Sequence, residues 1–480
     1  MEIVEAGAEI SRRGFLGGFC AGAAGLILPA NSHCTENPRM RFGVVSDVHI
    51  RASGVWDWRK YTEHALRWFD AQGVDAVMVP GDIAHSGLIQ ELKGFAEIWD
   101  KVFKDGKKSD GRPVERLFVT GNHDVEAFWV KGDDGWRRQN VVSHGDNLAK
   151  LWRELFHEDY RPIWKKQVKG YTFIGAQWRC NGMAPPIEQW FREHAGELKG
   201  DKPFFYTQHA HPRGTCGDGK ISYDDGTATR ALSQFPNAVA ITGHSHQTIV
   251  DESSAWQGSF TSINAGCLRE GGNDRHGVYD STYPPFSQKR KANRMRPIPA
   301  QEGRCGLLVD VFDDHILVNR RSFEYDTALG EDWCIPLPAK PGGKYDVQRR
   351  KKEDAGPIFP EDAKIEVKWC DVAPVDIAGP ALAGKPCVRV RIPHPSAAKP
   401  GSRVYDFKVD MLVDGKVEKS RLVLANGYNV PLSLSDRPSD CLFGADELPN
   451  AGAVRFRVAP RTCFGTSGKT IVSDVIVADR

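Results

Sequence analysis

From about residue 40 to 330, short apolar runs alternate with stretches of helical periodicity. "RFGVVSD" (41–47), "VDAVMVPGD" (74–82), "RLFVTGN" (116–122), "YTFIGAQW" (171–178), "KPFFYTQH" (202–209) and "NAVAITGH" (237–244) are nearly continuous in apolar residues. That pattern predicts strands buried on both faces. In "KYTEHALRWFDAQG" (60–73), Tyr61, Ala65, Leu66, Trp68 and Phe69 share one helical face, and Gly73 ends the helix. "GLIQELKGFAEIWDKVF" (87–103) and "PPIEQWFREHAGEL" (185–198) predict two further helices. Strand, helix, strand in this order implies an α/β sheet with right-handed crossovers. Residues 304–324 read as a closing hairpin around Asp313 and Asp314.

Beyond this the pattern changes. Residues 335–363 hold "PLPAKPGGK", the charged run "RRKKED" and "GPIFPED", expected as a linker or exposed excursion. From 364 to 480 the segments are short and strand-like, among them "CVRVRI", "VYDFKVDMLVDGK", "SRLVLA" and "AVRFRVA". Turn residues separate them at intervals suited to an all-β sandwich. At 480 residues two domains are expected, one over 38–334 and one over 364–480.

Charge excludes little but narrows the partners. The 64 basic residues nearly cancel the 62 acidic ones, so no electrostatic case exists for nucleic acid or an anionic membrane. The eleven cysteines contain no Cys-x-x-Cys pair, which removes zinc-ribbon and thioredoxin chemistry. Four of them (Cys370, Cys387, Cys441, Cys463) fall in the last third, where the sequence alone cannot pair them. Residues 1–34 read as an address rather than as fold. Ser11-Arg12-Arg13-Gly14-Phe15-Leu16, followed by a weakly apolar Gly/Ala-rich run, resembles a twin-arginine export signal. The export machinery and a periplasmic or otherwise extracytoplasmic location are therefore expected. No stretch is long and apolar enough for a stable membrane span.

The candidate chemistry lies at the strand ends. Successive apolar runs finish in Asp47-Val48-His49, Gly81-Asp82, Gly121-Asn122-His123-Asp124, Gln208-His209-Ala210-His211 and Gly243-His244-Ser245-His246. In an open α/β sheet, ligands gather outside the carboxyl ends of the strands, so five separate tips can meet in one place. Each fragment alone is ordinary turn chemistry. Five in this order, each after an apolar run, are hard to assign to chance. Glycine before Asp82, Asn122 and His244 permits close backbone approach.

This series resembles the calcineurin-like metallophosphoesterase family over roughly residues 40–330. The resemblance implies a four-layer α/β/β/α sandwich of two mixed sheets, followed here by an immunoglobulin- or fibronectin-like β-sandwich. It implies two divalent ions, one held by Asp47, His49, Asp82 and His246. The other would be held by Asp82, Asn122, His209 and His244, with Asp82 bridging and His211 an alternative to His209. Imidazole, carboxylate and carboxamide without thiolate suit manganese, iron or zinc. Two such ions roughly 3.5 to 4 Å apart clamp a phosphoryl oxygen and generate a metal-bridging hydroxide as nucleophile. His123 becomes the proton donor to the leaving group, with Asp124 either orienting its imidazole or capping the helix that follows. In purple acid phosphatases a tyrosine stands three residues after the bridging aspartate. Here that position is His85, so a tyrosinate–iron centre is not expected and His85 reads as a supporting or solvent residue.

Two long stretches border these tips. Residues 125–165 carry Trp129, Trp136, Arg137, Arg138 and His144, and residues 268–297 carry Arg269, Arg275, His276, Tyr279 and Tyr283. Either they shape specificity, holding phosphate and a ring, or they cover the core and the C-terminal domain. "SINAGCL" (262–268) is expected as a strand with Asn264 supporting the Gly-His-x-His loop. The resulting expectation is an exported dinuclear phosphoesterase acting on phosphate mono- or diesters, whether a small molecule, an exposed phosphorylated glycan or a nucleotide. Alternatives are cleavage of a pyrophosphate link, as in a nucleotide sugar, or a non-catalytic metal-binding surface protein.

Overall fold

The computed structural model describes residues 37–52, 58–127, 130–178, 184–216, 224–269, 279–280, 295, 300–397, 403–450 and 452–477. The export signal expected at 1–34 lies outside these residues.

The apolar runs become strands β1 (Met40–Val44), β2 (Ala76–Pro80) and β3 (Glu115–Val119), which pair in parallel. On the other side of β1, the hairpin strands Cys305–Val311 and His315–Ser322 continue the sheet antiparallel. Thr327–Ala328 and Trp333–Pro336 both pair with the second hairpin strand, completing seven strands. A second, six-stranded sheet follows the order β4-β5-β6-β7-β9-β8. It comprises β4 (Ile163–Val168), β5 (Tyr171–Ala176), β6 (Phe204–Gln208), β7 (Ala238–Thr242), β8 (Ala255–Gln257) and β9 (Thr261–Asn264). Here β5, β6, β7 and β9 run parallel, and the edges β4 and β8 antiparallel.

Burial on both faces explains the unbroken apolar runs. Between the sheets, Phe42 meets the rings of Phe173 and Phe205 edge-on at 5.4 and 5.0 Å. On the outer face of the first sheet, α1 (Trp58–Ala71) and α2 (Ile89–Val102) bury Leu66, Phe69, Phe95 and Trp99. On the outer face of the second, Phe191, Leu232 and Phe235 form a separate cluster. Strand β4 had no apolar run to announce it. Its sequence Ile-Trp-Lys-Lys-Gln-Val suits an edge strand, where lysines face water.

Residues 364–477 add all-β sheets. Glu366–Cys370, Cys387–Ile392 and Ser439–Gly444 form one antiparallel sheet. Asp406–Val413, Lys416–Leu424 and Ala453–Arg461 are the centre of the other. The rings of Phe443 and Phe456 join the two at 5.0 Å. The register sets Cys370 directly opposite Cys387 on neighbouring strands, both as free thiols, which pairs two of the four late cysteines in space. Strand Tyr279–Asp280 crosses from the first region to pair with Lys416–Leu424. One hydrophobic cluster runs from Phe42 and Phe205 through to Phe407, Val409 and Phe456.

The stretch read as a linker is tied down. It holds helix Val347–Glu353, whose Arg350 meets the Glu252 carboxylate at 2.8 Å and the Glu252 and Ala255 carbonyls at 2.6 and 2.9 Å. Among the described residues no helix is long and apolar enough to cross a membrane.

Candidate functional site

Every ligand-type side chain follows the carboxyl end of a parallel strand: Asp47 and His49 after β1, Asp82 after β2, and Asn122 to Asp124 after β3. His209 follows β6, and His244 and His246 follow β7. Asp47, His49, Asp82, His244 and His246 all adopt left-handed backbone, with φ between 52° and 68°. That region is costly for residues with a Cβ and best tolerated by Asp, Asn and His. Each such turn folds a side chain back over its strand end. Bonds across loops hold it there, from Asp47 N to Gly81 O at 3.2 Å and from His49 N to Asp82 O at 2.9 Å. Two glycines allow the loops to close. A Cβ on Gly121 would strike Asp82 Oδ1, and one on Gly243 would strike Ser46 Oγ.

Two donor groups that share Asp82 result, beside a third made of His49, His85 and His123. Asp47, His49, Asp82 and His246 bring one potential ligand atom each within 4.8 Å of one another, and so do Asp82, His209 and His244. His246 Nε2 stands 3.1 Å from Asp47 Oδ1 and 3.2 Å from His49 Nε2. His49 Nε2 is 3.7 Å from Asp82 Oδ2. His209 Nε2 is 3.1 Å from the same Asp82 oxygen and 3.0 Å from His244 Nδ1. Asp82 thus belongs to both groups. Asn122 lies beside them at the start of α3 (Asn122–Val125).

The residues fit divalent cations. Asn122 Oδ1 is a buried acceptor with no hydrogen-bond partner, a costly state unless something binds it, and Asp47 Oδ1 is buried facing the His246 imidazole. The donors are nitrogen and oxygen, the set preferred by manganese, iron and zinc. Charge points the same way. Burial works against ionised Asp47, but His246 and His209 outweigh it and hold its carboxyl well below the usual range. Burial likewise opposes charge on His209, but Asp82 and Asp47 raise its imidazole to about 9. Burial drives His49 and His244 well below the ordinary imidazole value. A cation entering these groups competes with protons for the imidazoles.

His209 rather than His211 faces this centre. The Nδ1 of His209 donates to the Pro80 carbonyl at 2.6 Å, which directs Nε2 toward Asp82. Both nitrogens of His211 are engaged by hydroxyls, Thr242 Oγ1 at 2.6 Å and Ser245 Oγ at 2.8 Å.

His123 lies half-buried against the first group, its ring 4.6 Å from that of His49. Its backbone N–H donates to Asp82 Oδ1 at 2.9 Å, and its Nδ1 to the His85 carbonyl at 2.6 Å. The Asp124 carboxylate accepts from Ala84 N at 2.7 Å and Gly121 N at 2.8 Å, tying the loop after β2 to the loop after β3. Gly121 is the N-cap of the short helix, so Asp124 closes back on the cap from inside the first turn. The His85 carbonyl accepts from His123 Nδ1 and orients its ring. Burial and then the Asp82 charge push the Asp124 carboxyl up to about 7, against the two N–H donors.

His85 is more engaged than the sequence implied. Its Nδ1 is 3.4 Å from His49 Nδ1, and its ring stacks on His123 with centroids 5.6 Å apart. Arg51 Nη2 reaches His85 Nε2 at 2.8 Å, and Arg269 Nη1 reaches His85 Nδ1 at 3.4 Å. Burial, then the Arg269 and Arg51 charges, hold the imidazole down to about 3. Arg51 was not singled out, although it lies two residues beyond His49 in the same loop. Trp178 was missed too. It ends the β5 run and places its ring 5.7 Å from His209 and 5.4 Å from His244. The rule that drew attention to the other strand tips applied equally to β5, but tryptophan is not a metal ligand.

The long stretches divide. Arg138 and His144 both contact Asp134 within their own region, and Arg137 donates to Val130 O. Trp129, Arg275, His276 and Tyr283 lie outside the described residues, and the backbone of Tyr279 pairs with the C-terminal sheet. Asn264 supports the segment after the histidine loop, donating to Gln247 O at 2.8 Å and accepting from Gly266 N at 3.1 Å.

The calcineurin-like phosphoesterase family model matches residues 40–248. No curated protein matches. Among solved structures, a dimetal phosphatase from Danio rerio is similar at 12% identity, covering 62% of this chain and 99% of that one, with a TM-score of 0.38. A predicted phosphoesterase from Streptococcus pneumoniae is similar at 13% identity, covering 62% and 97%, with a TM-score of 0.29. The inner-membrane-complex anchor GAP50 of Plasmodium is similar at 12% identity, covering 63% and 89%, with a TM-score of 0.36. These likenesses are too remote to bear on function, whereas the family model spans all the strand tips from Asp47 to His246. Residues 40–248 match the calcineurin-like phosphoesterase model, and the chain is a metal-binding hydrolase of phosphoric esters.

Proposed function

We propose that this protein is an exported phosphoesterase using two ions of manganese, iron or zinc to hydrolyse phosphate mono- or diesters. The observation that carries the reading is that one carboxylate, Asp82, belongs to both donor groups and also accepts the His123 backbone N–H. Asp47, His49, Asp82 and His246 would hold one ion, and Asp82, Asn122, His209 and His244 the other. Bound there, such ions would supply polarisation of a phosphoryl oxygen and acidification of water. The chain's own residues supply the rest. The Pro80 carbonyl fixes the His209 tautomer, because a carbonyl only accepts and so keeps the proton on Nδ1. The His85 carbonyl does the same for His123, leaving Nε2 as the atom that delivers a proton to the departing alkoxide. Arg51 and Arg269 set positive charge beside His85, where it favours a phosphate group. The two sheets with their outer helices are read as the family's four-layer sandwich, and residues 364–477 as an immunoglobulin-like partner domain.

Protein loaded with manganese, iron or zinc is expected to hydrolyse p-nitrophenyl phosphate or its bis ester and to carry two metal equivalents. Full occupancy without turnover of any phosphate ester overturns the reading. Export rests on the Ser11–Leu16 sequence. In cell fractionation the full-length chain is expected outside the cytoplasm and an Arg12→Lys/Arg13→Lys variant inside it. Equal distribution of the two counts against export.

A further inference from the structure

Two cysteines of the C-terminal sheets stand where a covalent bond between them is geometrically available. Cys370 is the last residue of strand Glu366–Cys370, and Cys387 is the first of its neighbour Cys387–Ile392. They are antiparallel register partners, so both side chains leave the same face of the sheet. Directly opposite residues in such a ladder have Cα atoms roughly 4.5 to 5.5 Å apart, inside the roughly 4.4 to 6.8 Å that a disulfide spans. Among the described residues no other two cysteines are register partners.

The thiols also feel one another, and one of them can be reached. Burial and then the neighbouring Cys370 thiol push the Cys387 thiol up to about 11, while Cys370 is only partly buried. The surroundings show what a bond there would hold. Strand Glu366–Cys370 is the edge of a three-stranded sheet, and among the described residues it pairs with Cys387–Ile392 alone. Glu366, Lys368 and Trp369 are exposed, so little burial holds this edge, and such strands open locally. Beyond its end, residues 371–386 form a loop whose base is held by Ala373 N donating to Lys385 O at 2.8 Å. A sulfur–sulfur bond would close that base covalently and pin the edge strand to its neighbour.

We infer that Cys370 and Cys387 are an oxidation site, forming a disulfide that staples the edge strand when the folded chain meets a disulfide oxidant. In the first step the more accessible Cys370 thiolate attacks one sulfur of a small-molecule disulfide and expels one thiolate, leaving a mixed disulfide on Cys370. The Cys387 thiolate then attacks Cys370 Sγ, forms the protein bond and expels the second thiolate. The two protein thiols give up two protons and two electrons, and the oxidant leaves as two thiols. The bond suits the extracytoplasmic location proposed above, since disulfides persist in oxidising compartments. Its test depends neither on that location nor on the phosphoesterase reading.

The full chain is purified reduced and incubated folded with oxidised and reduced glutathione at comparable millimolar concentrations. Remaining thiols are alkylated, and the protein is digested at aspartate, which separates the two cysteines at Asp371 and Asp376. Mass spectrometry is expected to find a Cys370–Cys387 cross-linked peptide, in about tenfold or greater excess over the alkylated forms, because structural disulfides resist the glutathione couple. Amide hydrogen exchange over residues 366–370 is expected to slow by about tenfold on oxidation, since the bond opposes local opening. Cys370→Ser changes a partly exposed residue, and the variant is expected to fold, show no cross-link and keep the fast exchange of the reduced protein. Alkylation of both thiols overturns the inference, as do glutathione adducts in place of the cross-link or a bond from either residue to another cysteine. A cross-link that leaves the exchange of 366–370 unchanged overturns the staple.

Discussion

Asp82→Ala is expected to lose metal and activity together. Its carboxylate stands 3.1 Å from His209 and 3.7 Å from His49, one from each donor group, so no other side chain takes its place. A single metal ion contributes several kcal/mol of charge stabilisation in such sites, so kcat is expected to fall on the order of 10³-fold or more. Bound-metal analysis gives the second readout, with the variant expected to retain less than one equivalent. Thermal stability gives a third. Metal at a hundredfold excess over Kd stabilises a folded protein by ~2.7 kcal/mol, and that increment is expected to disappear in the variant. An Asp82→Ala protein that holds two equivalents would show that the two groups do not share this carboxylate.

His123→Ala is expected to behave oppositely, keeping both metals and losing rate. The His123 ring is oriented by the His85 carbonyl, which accepts from Nδ1 and so points Nε2 the other way. General-acid groups contribute typically about 10²- to 10⁴-fold. The loss is expected to be largest for esters with poorly leaving alkoxides and small for p-nitrophenyl esters, whose leaving group needs no proton. The measurement is kcat against leaving-group pKa for wild type and variant, with metal content in parallel. Geometry allows one rival, because ring nitrogens of His49, His85 and His123 also lie within 4.8 Å of one another. If the variant loses one metal equivalent, His123 is a ligand and the proton donor lies elsewhere.

Much of this architecture is written locally. Strands β2, β6 and β7 are buried along their whole length, and β1, β3 and β5 over their last three or more residues, so each carries a largely apolar run, and such runs are legible without any knowledge of neighbours. The polar residues at their ends are legible for the complementary reason, since carboxylate, carboxamide and imidazole do not belong at the end of a core strand unless something there uses them. The sequence thereby determined the α/β character of the first region, the strand-rich character of the last, and the places where ligand-type residues lie.

What it left open depended on partners far along the chain. His209 and His211 are two residues apart and chemically identical, and only the position of the Pro80 carbonyl against Thr242 and Ser245 separates them. Asp124 sits beside His123 in sequence, yet its carboxylate is taken by the N–H groups of Ala84 and Gly121. The run "RRKKED" looks like a solvated linker until Glu252, nearly a hundred residues earlier, meets Arg350. Gln177 and Trp178 look like the end of a strand until β3 and β6 place Thr120 and His209 beside them. Periodicity is set by residues a few positions apart and can be read from them. Which oxygen or nitrogen faces which is set by sheet register and by the left-handed turns after each strand, and these exist only once the two sheets have packed.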